Sequence, residues 1–489
     1  MEESEEKQGQ GYNEERLLDK PVQPKISKLA ILSLVLGIFS LVFFVLAGVP
    51  AIVIGIISTL RIRRSGGKLK GKYIALTGMN ISILFMCIFY LFWSIDAPPI
   101  PNDYTIADLR SAPAQYAESF EVLKTLINEN PDLSGVPAIE LTKSDSGMIA
   151  EVKGIMETGT TSEISKTLSY YAEEIKQILA DNETARDIIH RLNEFPEIAD
   201  LTELNTNLKI VRVSKLIDLA RFYQVYAHLK IEQRDIQAFA AELIELDSVF
   251  RKLSLNARPM IGKATCDVCM TADMVTANTI ANNARASQES IEMLAGHFTP
   301  LTKEQMSLRN HVLFGYLLTK NIISDVLGRS TAGKTPLLKR NSTLRFYRNN
   351  CDGGINILED IKNSTNVRFS VWPSIYPCMG PVSFQSRKPL PLLYICYNPV
   401  GSRLIRTRSF SYESMLKRKT ATKIQDDLLQ IVLNKRLGKD FSLKASAYSD
   451  EYIVDVENRK IFSPGPDSKA DTRDDIMLRI NPEVLGWRN

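Results

Sequence analysis

Four aspartates, Asp467, Asp471, Asp474 and Asp475, fall within nine residues near the end of the 489-residue chain. They sit among turn-forming residues whose carbonyls are free, and calcium takes about six to eight oxygens at roughly 2.3–2.6 Å. The spacing is not that of an EF-hand, because no glycine holds the sixth position and no glutamate closes the loop. The competing expectation is a solvated turn whose aspartates cap backbone amides. Carboxylates this close repel without a cation, so calcium is the cofactor such a loop would take.

Cys266-Asp267-Val268-Cys269 has the spacing of a redox pair or half a zinc site. Zinc wants a second pair, and the sequence has none at a suitable distance. The redox version wants a preceding strand, whereas Ile261–Val275 reads as helix. Two small core residues are therefore expected. Cys351, Cys378 and Cys396 permit one bridge in an oxidising compartment. Cys378–Cys396 would staple a proline-rich segment, and the pairing stays open.

Gly328-Arg329-Ser330-Thr331-Ala332-Gly333-Lys334-Thr335 spells a phosphate-binding loop. That loop needs a strand before it and a helix opening at its lysine. Here Asn321–Leu327 reads as helix, and Pro336 turns Thr335 away from helical dihedrals. A glycine-rich helix exit is expected, with no nucleotide. His190, His228, His297 and His311 are scattered, and none lies in a metalloprotease or nucleophile-elbow context. No catalytic residue is assigned.

The elements carrying these residues begin in a membrane. The chain is 44% hydrophobic and 24% charged with a net charge of +4, a folded composition too weakly basic to imply nucleic acid as main partner. Leu29–Leu60 and Tyr73–Ile95 are uncharged apolar runs, each long enough for the roughly 30 Å hydrocarbon core. The first is too long for one comfortable crossing. With Ala47-Gly48-Val49-Pro50 in its middle, it reads as one tilted helix or as a spanning helix followed by a shorter packed one. Ala47, Ala51 and Gly55, like Gly78 and Ser82, recur every fourth residue, a spacing that lets helices approach closely in lipid. The connecting segment Arg61–Lys72 holds six cations and no anion, which places it in the cytoplasm. Residues beyond about 96 are then expected to be extracytoplasmic.

Leu34-Val35-Leu36-Gly37-Ile38, Gly48–Gly55, Arg61–Gly67 and Leu69-Lys70-Gly71-Lys72 resemble a small bacterial membrane domain of unknown function, DUF4190. In that family a glycine-rich basic loop joins apolar helices that carry varied soluble parts. The resemblance covers about residues 28 to 95 and implies anchoring without known catalysis. Asn80, Phe85 and Phe89 make the last helix less glycine-rich than usual.

Beyond the membrane the expected class is mainly α. A polar, disordered tail (1–27) and the membrane hairpin (28–96) precede a stiff proline-rich spacer (97–104) and a helical domain (105–330). Thr302-Lys303-Glu304-Gln305 is a capping box, expected to open a helix reaching about Leu327. Ala220–Lys230 and Asp235–Leu253 look like one tetratricopeptide-type hairpin, without the repeats a solenoid needs. Residues 331–400 are rich in proline and aromatics and read as an irregular cover. Residues 401–489 supply a helix over about 402–437 and strands at Tyr452–Val456 and Lys460–Phe462. The tail Ile461–Ile476 resembles that of type II secretion pseudopilins, whose comparable loop binds calcium. It also resembles, more diffusely, uncharacterised bacterial envelope proteins. The pseudopilin N-terminal methylation motif is missing.

The expected role is binding or scaffolding by a membrane-anchored envelope protein, with lipid and envelope proteins as partners. The alternatives are a tethered hydrolase with dispersed active-site residues and an accessory factor of a secretion assembly.

Overall fold

The computed structural model describes residues 24–94, 96–127, 143–158, 161–204, 214–329, 339–359 and 412–487, with short pieces at 370–371, 384–385, 398, 400 and 403. It is mainly helical and divides into two compact units, residues 1–96 and 97–489.

In the N-terminal unit, helix α1 (Lys28–Arg64) is followed by α2 (Lys72–Ser94), and β1 (Lys25–Ile26) pairs in parallel with β2 (Leu69–Lys70). The residues from Lys28 to Arg64 are assigned to one helix, but α1 is not a rod. Ser33 Oγ donates to the carbonyl of Ala51 at 2.9 Å, and the hydroxyls of Ser27 and Ser58 lie 3.4 Å apart. Eighteen residues of straight helix would hold Ser33 and Ala51 about 27 Å apart. A Cβ on Gly48 would stand 3.7 Å from that of Ser40, so the reversal lies between these two residues. Pro50, the expected break, instead sits inside the returning limb, close to its start. The unit is thus three helical limbs: the run does bend, but the shorter limb (Lys28–Leu41) precedes the longer one (Leu46–Arg64), the reverse of the expected order.

The limbs meet through small residues. Ala30, Ser33, Ser40, Ala51, Ser58, Ala75 and Ser82 are fully buried. Added Cβ atoms would reach 2.5 Å from the Gly78 carbonyl at Gly37 and 2.6 Å from the Leu34 nitrogen at Gly78, so the two backbones touch. Only glycine permits this approach.

The larger unit contains α3 (Ala117–Leu126), α4 (Lys143–Thr158), α5 (Thr161–Asp181), α6 (Glu183–Glu194), α7 (Ser214–Gln233) and α8 (Ile236–Asn256). After these come α9 (Met260–Ala281), α10 (Gln288–His297), α11 (Lys303–Met306), α12 (Arg309–Arg329), α13 (Arg340–Glu359) and α14 (Tyr412–Arg436). A short antiparallel pair, β3 (Ser370–Val371) and β4 (Phe384–Gln385), lies between the last two. The chain finishes with an antiparallel sheet, β5 (Ile453–Asp455), β6 (Lys460–Ser463) and β7 (Ile476–Arg479), and the short α15 (Pro482–Leu485). α9 is the central element. It is covered by α7, α8 and α14 and buries residues on nearly every side. Phe239, Phe250, Leu243 and Leu428 belong to the same core.

Several expectations need revision. The capping box at Thr302 is present, with Thr302 Oγ1 accepting from the Gln305 amide at 3.2 Å, but the helix it opens stops at Met306. Ser307 Oγ then accepts from the Arg309 amide, and a second helix starts there. A helix, α13, occupies part of the segment expected to be irregular. A third strand, β7, pairs with β6 and turns the expected hairpin into a sheet. Residues 401–489 are not set apart, since α14 packs along α9 and shares its core.

The proline-rich spacer is bound along its length. Polyproline backbone leaves its carbonyls unpaired, and here they accept from Asn341 Nδ2 at Ala97 (2.7 Å), from Arg345 Nε at Pro98 (3.0 Å) and from Arg345 Nη2 at Pro99 (3.2 Å). Asp103 then accepts from Tyr316 Oη at 2.6 Å and pairs with Lys320 Nζ at 2.7 Å. The Arg348 guanidinium lies over the Tyr104 ring, 3.3 Å from its centre.

Candidate functional site

In the aspartate-rich loop between β6 and β7, Asp471 pairs with Lys460 Nζ at 2.6 Å and its amide donates to Asp475 Oδ2 at 2.9 Å. Asp467 Oδ1 accepts from the Lys469 amide at 2.9 Å, and Asp474 Oδ1 accepts from Thr472 Oγ1 at 2.7 Å. That hydroxyl holds the Asp474 carboxyl below the usual range. The carboxylates thus spend their oxygens on local donors. Among the described residues, no three His, Cys, Asp or Glu side chains converge as metal ligands.

Cys266 and Cys269 lie in the buried body of α9, and burial raises the Cys266 thiol to about 12 and Cys269 well above its usual value. Such thiols are poor nucleophiles. Cys351 is a free, buried thiol in α13. Cys378 and Cys396 lie outside the described residues, as do Ser330–Thr335 of the phosphate-loop spelling and most of the proline-rich cover. Gly328 and Arg329 end α12, so helix does precede that spelling.

Three of the four histidines have separate partners, and burial lowers the fourth, His228, to about 4. His190 Nδ1 meets Glu245 at 3.3 Å, His297 Nε2 meets Asp247 at 2.7 Å, and His311 Nδ1 lies 3.4 Å from the Arg258 carbonyl. Burial, reinforced by the Lys263 charge, lowers His311 to about 3, so its imidazole is neutral.

Sequence reasoning missed a buried ionic seam. Asp247 and Arg251 of α8 pair at 2.5 Å, and Lys263 and Asp267 of α9 pair at 3.0 Å. Asp426 of α14 pairs with Lys423 at 3.0 Å. The seam holds the turn after α10: Arg251 Nη1 donates to the Thr299 carbonyl at 3.1 Å, and Asp426 Oδ2 accepts from the Leu301 amide at 2.9 Å. Gln430 Nε2 adds a bond to the Phe298 carbonyl. The turn buries Phe298 and Leu301 but leaves Thr299 and Pro300 exposed, and its backbone bonds to Arg251, Asp426 and Gln430 make the seam structural. Beside it, burial and the Asp247 charge raise the Asp273 carboxyl well above its usual range against the opposing Arg251. The i, i+4 spacing of Asp247 with Arg251 and of Lys263 with Asp267 was the available signal.

An open groove of about 210 Å³ is lined by Arg186, His190, Glu242 and Glu245. It is smaller than the roughly 300–1,000 Å³ of small-molecule pockets. Its arginine is also taken by Glu242 at 2.8 Å.

The outer surface of the N-terminal unit is different in kind. Ile38, Phe39, Leu41, Phe43 and Leu46 are exposed, Leu46 by 82%, around a core of serine, alanine and glycine. Leu46–Arg64 is long and apolar enough to cross a membrane, with only 33% of its apolar window buried. A core helix of a water-soluble protein would be mostly covered. The shorter limb Lys28–Leu41 and the stretch Lys72–Ile88 are also apolar.

Residues 29–92 match the family described as Domain of unknown function (DUF4190). No curated protein matches the chain, and neither does any solved structure.

Proposed function

We propose that the chain is a bacterial inner-membrane protein whose N-terminal unit anchors a non-catalytic, extracytoplasmic binding or scaffolding unit. One observation carries the anchoring: the N-terminal unit buries small residues and exposes large apolar ones. Water would penalise that arrangement by about 25 cal/mol per Å² of exposed apolar surface, whereas lipid does not. The returning limb and α2 measure about 28 and 34 Å, close to the hydrocarbon thickness. Because β1 pairs with β2, residues 25–26 lie at the same end as the basic loop. The tail and the loop then face the cytoplasm, and the chain leaves α2 at the far side.

Binding rather than hydrolysis is favoured because the bonds of His190, His297 and His311 run to carboxylates and a carbonyl and to no serine or cysteine nucleophile. Two consecutive helices, α7 and α8, joined by a turn with Arg234 at φ 62°, support the reading of a tetratricopeptide-like hairpin in the proposed scaffold. Cysteines introduced as Ser65→Cys and Gln288→Cys test the topology. An impermeant maleimide on intact cells is expected to modify the second alone, with the first reacting after permeabilisation. Modification of Ser65→Cys on intact cells would overturn the orientation, and extraction of the chain by alkaline carbonate would overturn the anchor.

A further inference from the structure

Eight cations gather at one end of the N-terminal unit. Arg61, Arg63 and Arg64 close the returning limb, and Lys68, Lys70 and Lys72 follow in the loop. The pairing of Lys25 with Leu69 and Ile26 with Lys70 adds Lys25 and Lys28 from the start of the unit. All eight side chains are exposed, and residues 24–94 contain no Asp or Glu.

The collar is held in place by backbone. The Lys25 amide donates to the Lys68 carbonyl at 3.2 Å, the Ser27 amide to Lys70 at 3.0 Å, and the Leu69 amide to Ser65 Oγ at 3.1 Å. Gly66 and Gly67, with φ of 58° and 91°, make the turn that only glycine adopts freely. Fixing like charges together costs energy unless counter-charge arrives. The first 23 residues bring seven acids against three bases, too few to match eight cations.

The apolar surface begins one turn away. Ile31 and Leu32 follow Lys28, Ile57 and Leu60 precede Arg61, and Tyr73, 83% exposed, adjoins Lys72. That order of lipid-facing side chains, an interfacial tyrosine and then cations puts the charges at headgroup depth. Resting on the membrane reading above, we propose that this collar binds the phosphate-bearing headgroups of anionic phospholipids. Each cation close to an anionic surface is worth about five-fold in binding.

The full chain in nanodiscs of equal phosphatidylcholine and phosphatidylglycerol, with released lipids counted by native mass spectrometry, tests this. Phosphatidylglycerol is expected to exceed phosphatidylcholine several-fold among the retained lipids. With Lys25→Gln, Lys68→Gln, Lys70→Gln and Lys72→Gln combined, the excess is expected to fall toward the disc ratio. The same four positions changed to Arg are expected to keep it. Retention of the two lipids in the disc ratio by the unaltered chain overturns the proposal. So does loss of the excess in millimolar inorganic phosphate, which makes a free anion the ligand. Failure to enter discs of phosphatidylcholine alone would remove the membrane reading instead.

Discussion

The two units use opposite rules for what to bury. In the N-terminal unit Ala51, Ser33 and Ala75 are fully covered while Ile38 and Leu46 face outward. In the helical unit Phe239, Phe250 and Phe298 are fully covered, and the partners of charged residues organise what lies around them. Water drives the second pattern, because removing apolar area from it is favourable. Lipid, where the proposed anchor would sit, leaves no such force between helices, and the first unit meets through close backbone approach and hydroxyls bonded to carbonyls across limbs, such as Ser33 Oγ to Ala51 at 2.9 Å. On the membrane reading, the solvent, as much as the sequence, decides which residues count as core.

The largest effect that separates the units is expected from Phe250→Ala. It should cost about 3–5 kcal/mol in chemical denaturation of the helical unit. A cost below 1 kcal/mol would mean that Phe250 is not in the shared core. A lysine placed on an outward apolar position comes next. Ile38 and Ile106 are 58% and 61% exposed, so exposure alone ranks them together. Ile38→Lys is expected to cost roughly 2.5–3.5 kcal/mol of insertion, seen as a falling carbonate-resistant fraction. Ile106→Lys should stay within about 0.5 kcal/mol in melting experiments. Equal tolerance at both positions would break the comparison.

Adding a single methyl sharpens it further. Gly78→Ala forces a Cβ against the backbone of Ser33 and Leu34, which no rotamer change relieves. A loss of about 1–3 kcal/mol is expected from thermal unfolding in nanodiscs.

Next in size is the pH dependence of the helical unit. His311 has its folded-state pKa lowered to about 3. Since the unfolded imidazole takes up a proton below about 6.5, stability is present above that pH and drains away as pH falls toward 3. The slope is at most about 1.4 kcal/mol per pH unit for this group. His311→Asn should flatten that limb in melting curves, and an unchanged limb would remove His311 from it. Asp273 acts in the opposite sense. Its raised pKa means the native state holds a proton that the unfolded chain releases above about 3.9, so stability falls as pH rises. The smallest effect is that of Gly296→Ala in α10. No atom lies within 4 Å of the new Cβ, so a gain of about 0.4–1 kcal/mol is expected, opposite in sign to the same change at Gly78.

Features with short-range causes were legible. The capping box at Thr302 needs only residues 302–305, and the helical setting of Cys266 and Cys269 follows from local periodicity. The turn Glu457-Asn458-Arg459 between β5 and β6 is also local, with Arg459 at φ 53°. Strand β7 was missed because its four residues bury only Leu478 well, too little alternation to stand out beside an aspartate-rich loop. Helix α13 carries Gly353 and two adjacent asparagines, weak helix formers, and it is packing on α12 that selects helix there. Asp103 looked like the end of a linker. Its partners Tyr316, Lys320 and Arg348 lie more than two hundred residues away.

The sequence by itself determined the apolar runs, the basic loop between them and the helical periods that follow, because these depend on residues within a few positions of one another. Tertiary structure alone decided where α1 doubles back, which eight cations share one end, and how the seam of Asp247, Arg251, Lys263 and Asp426 holds the turn after α10. Those arrangements join residues far apart in the chain. Their energy comes from closing a loop against chain entropy and from satisfying polar groups that only the completed fold removes from solvent.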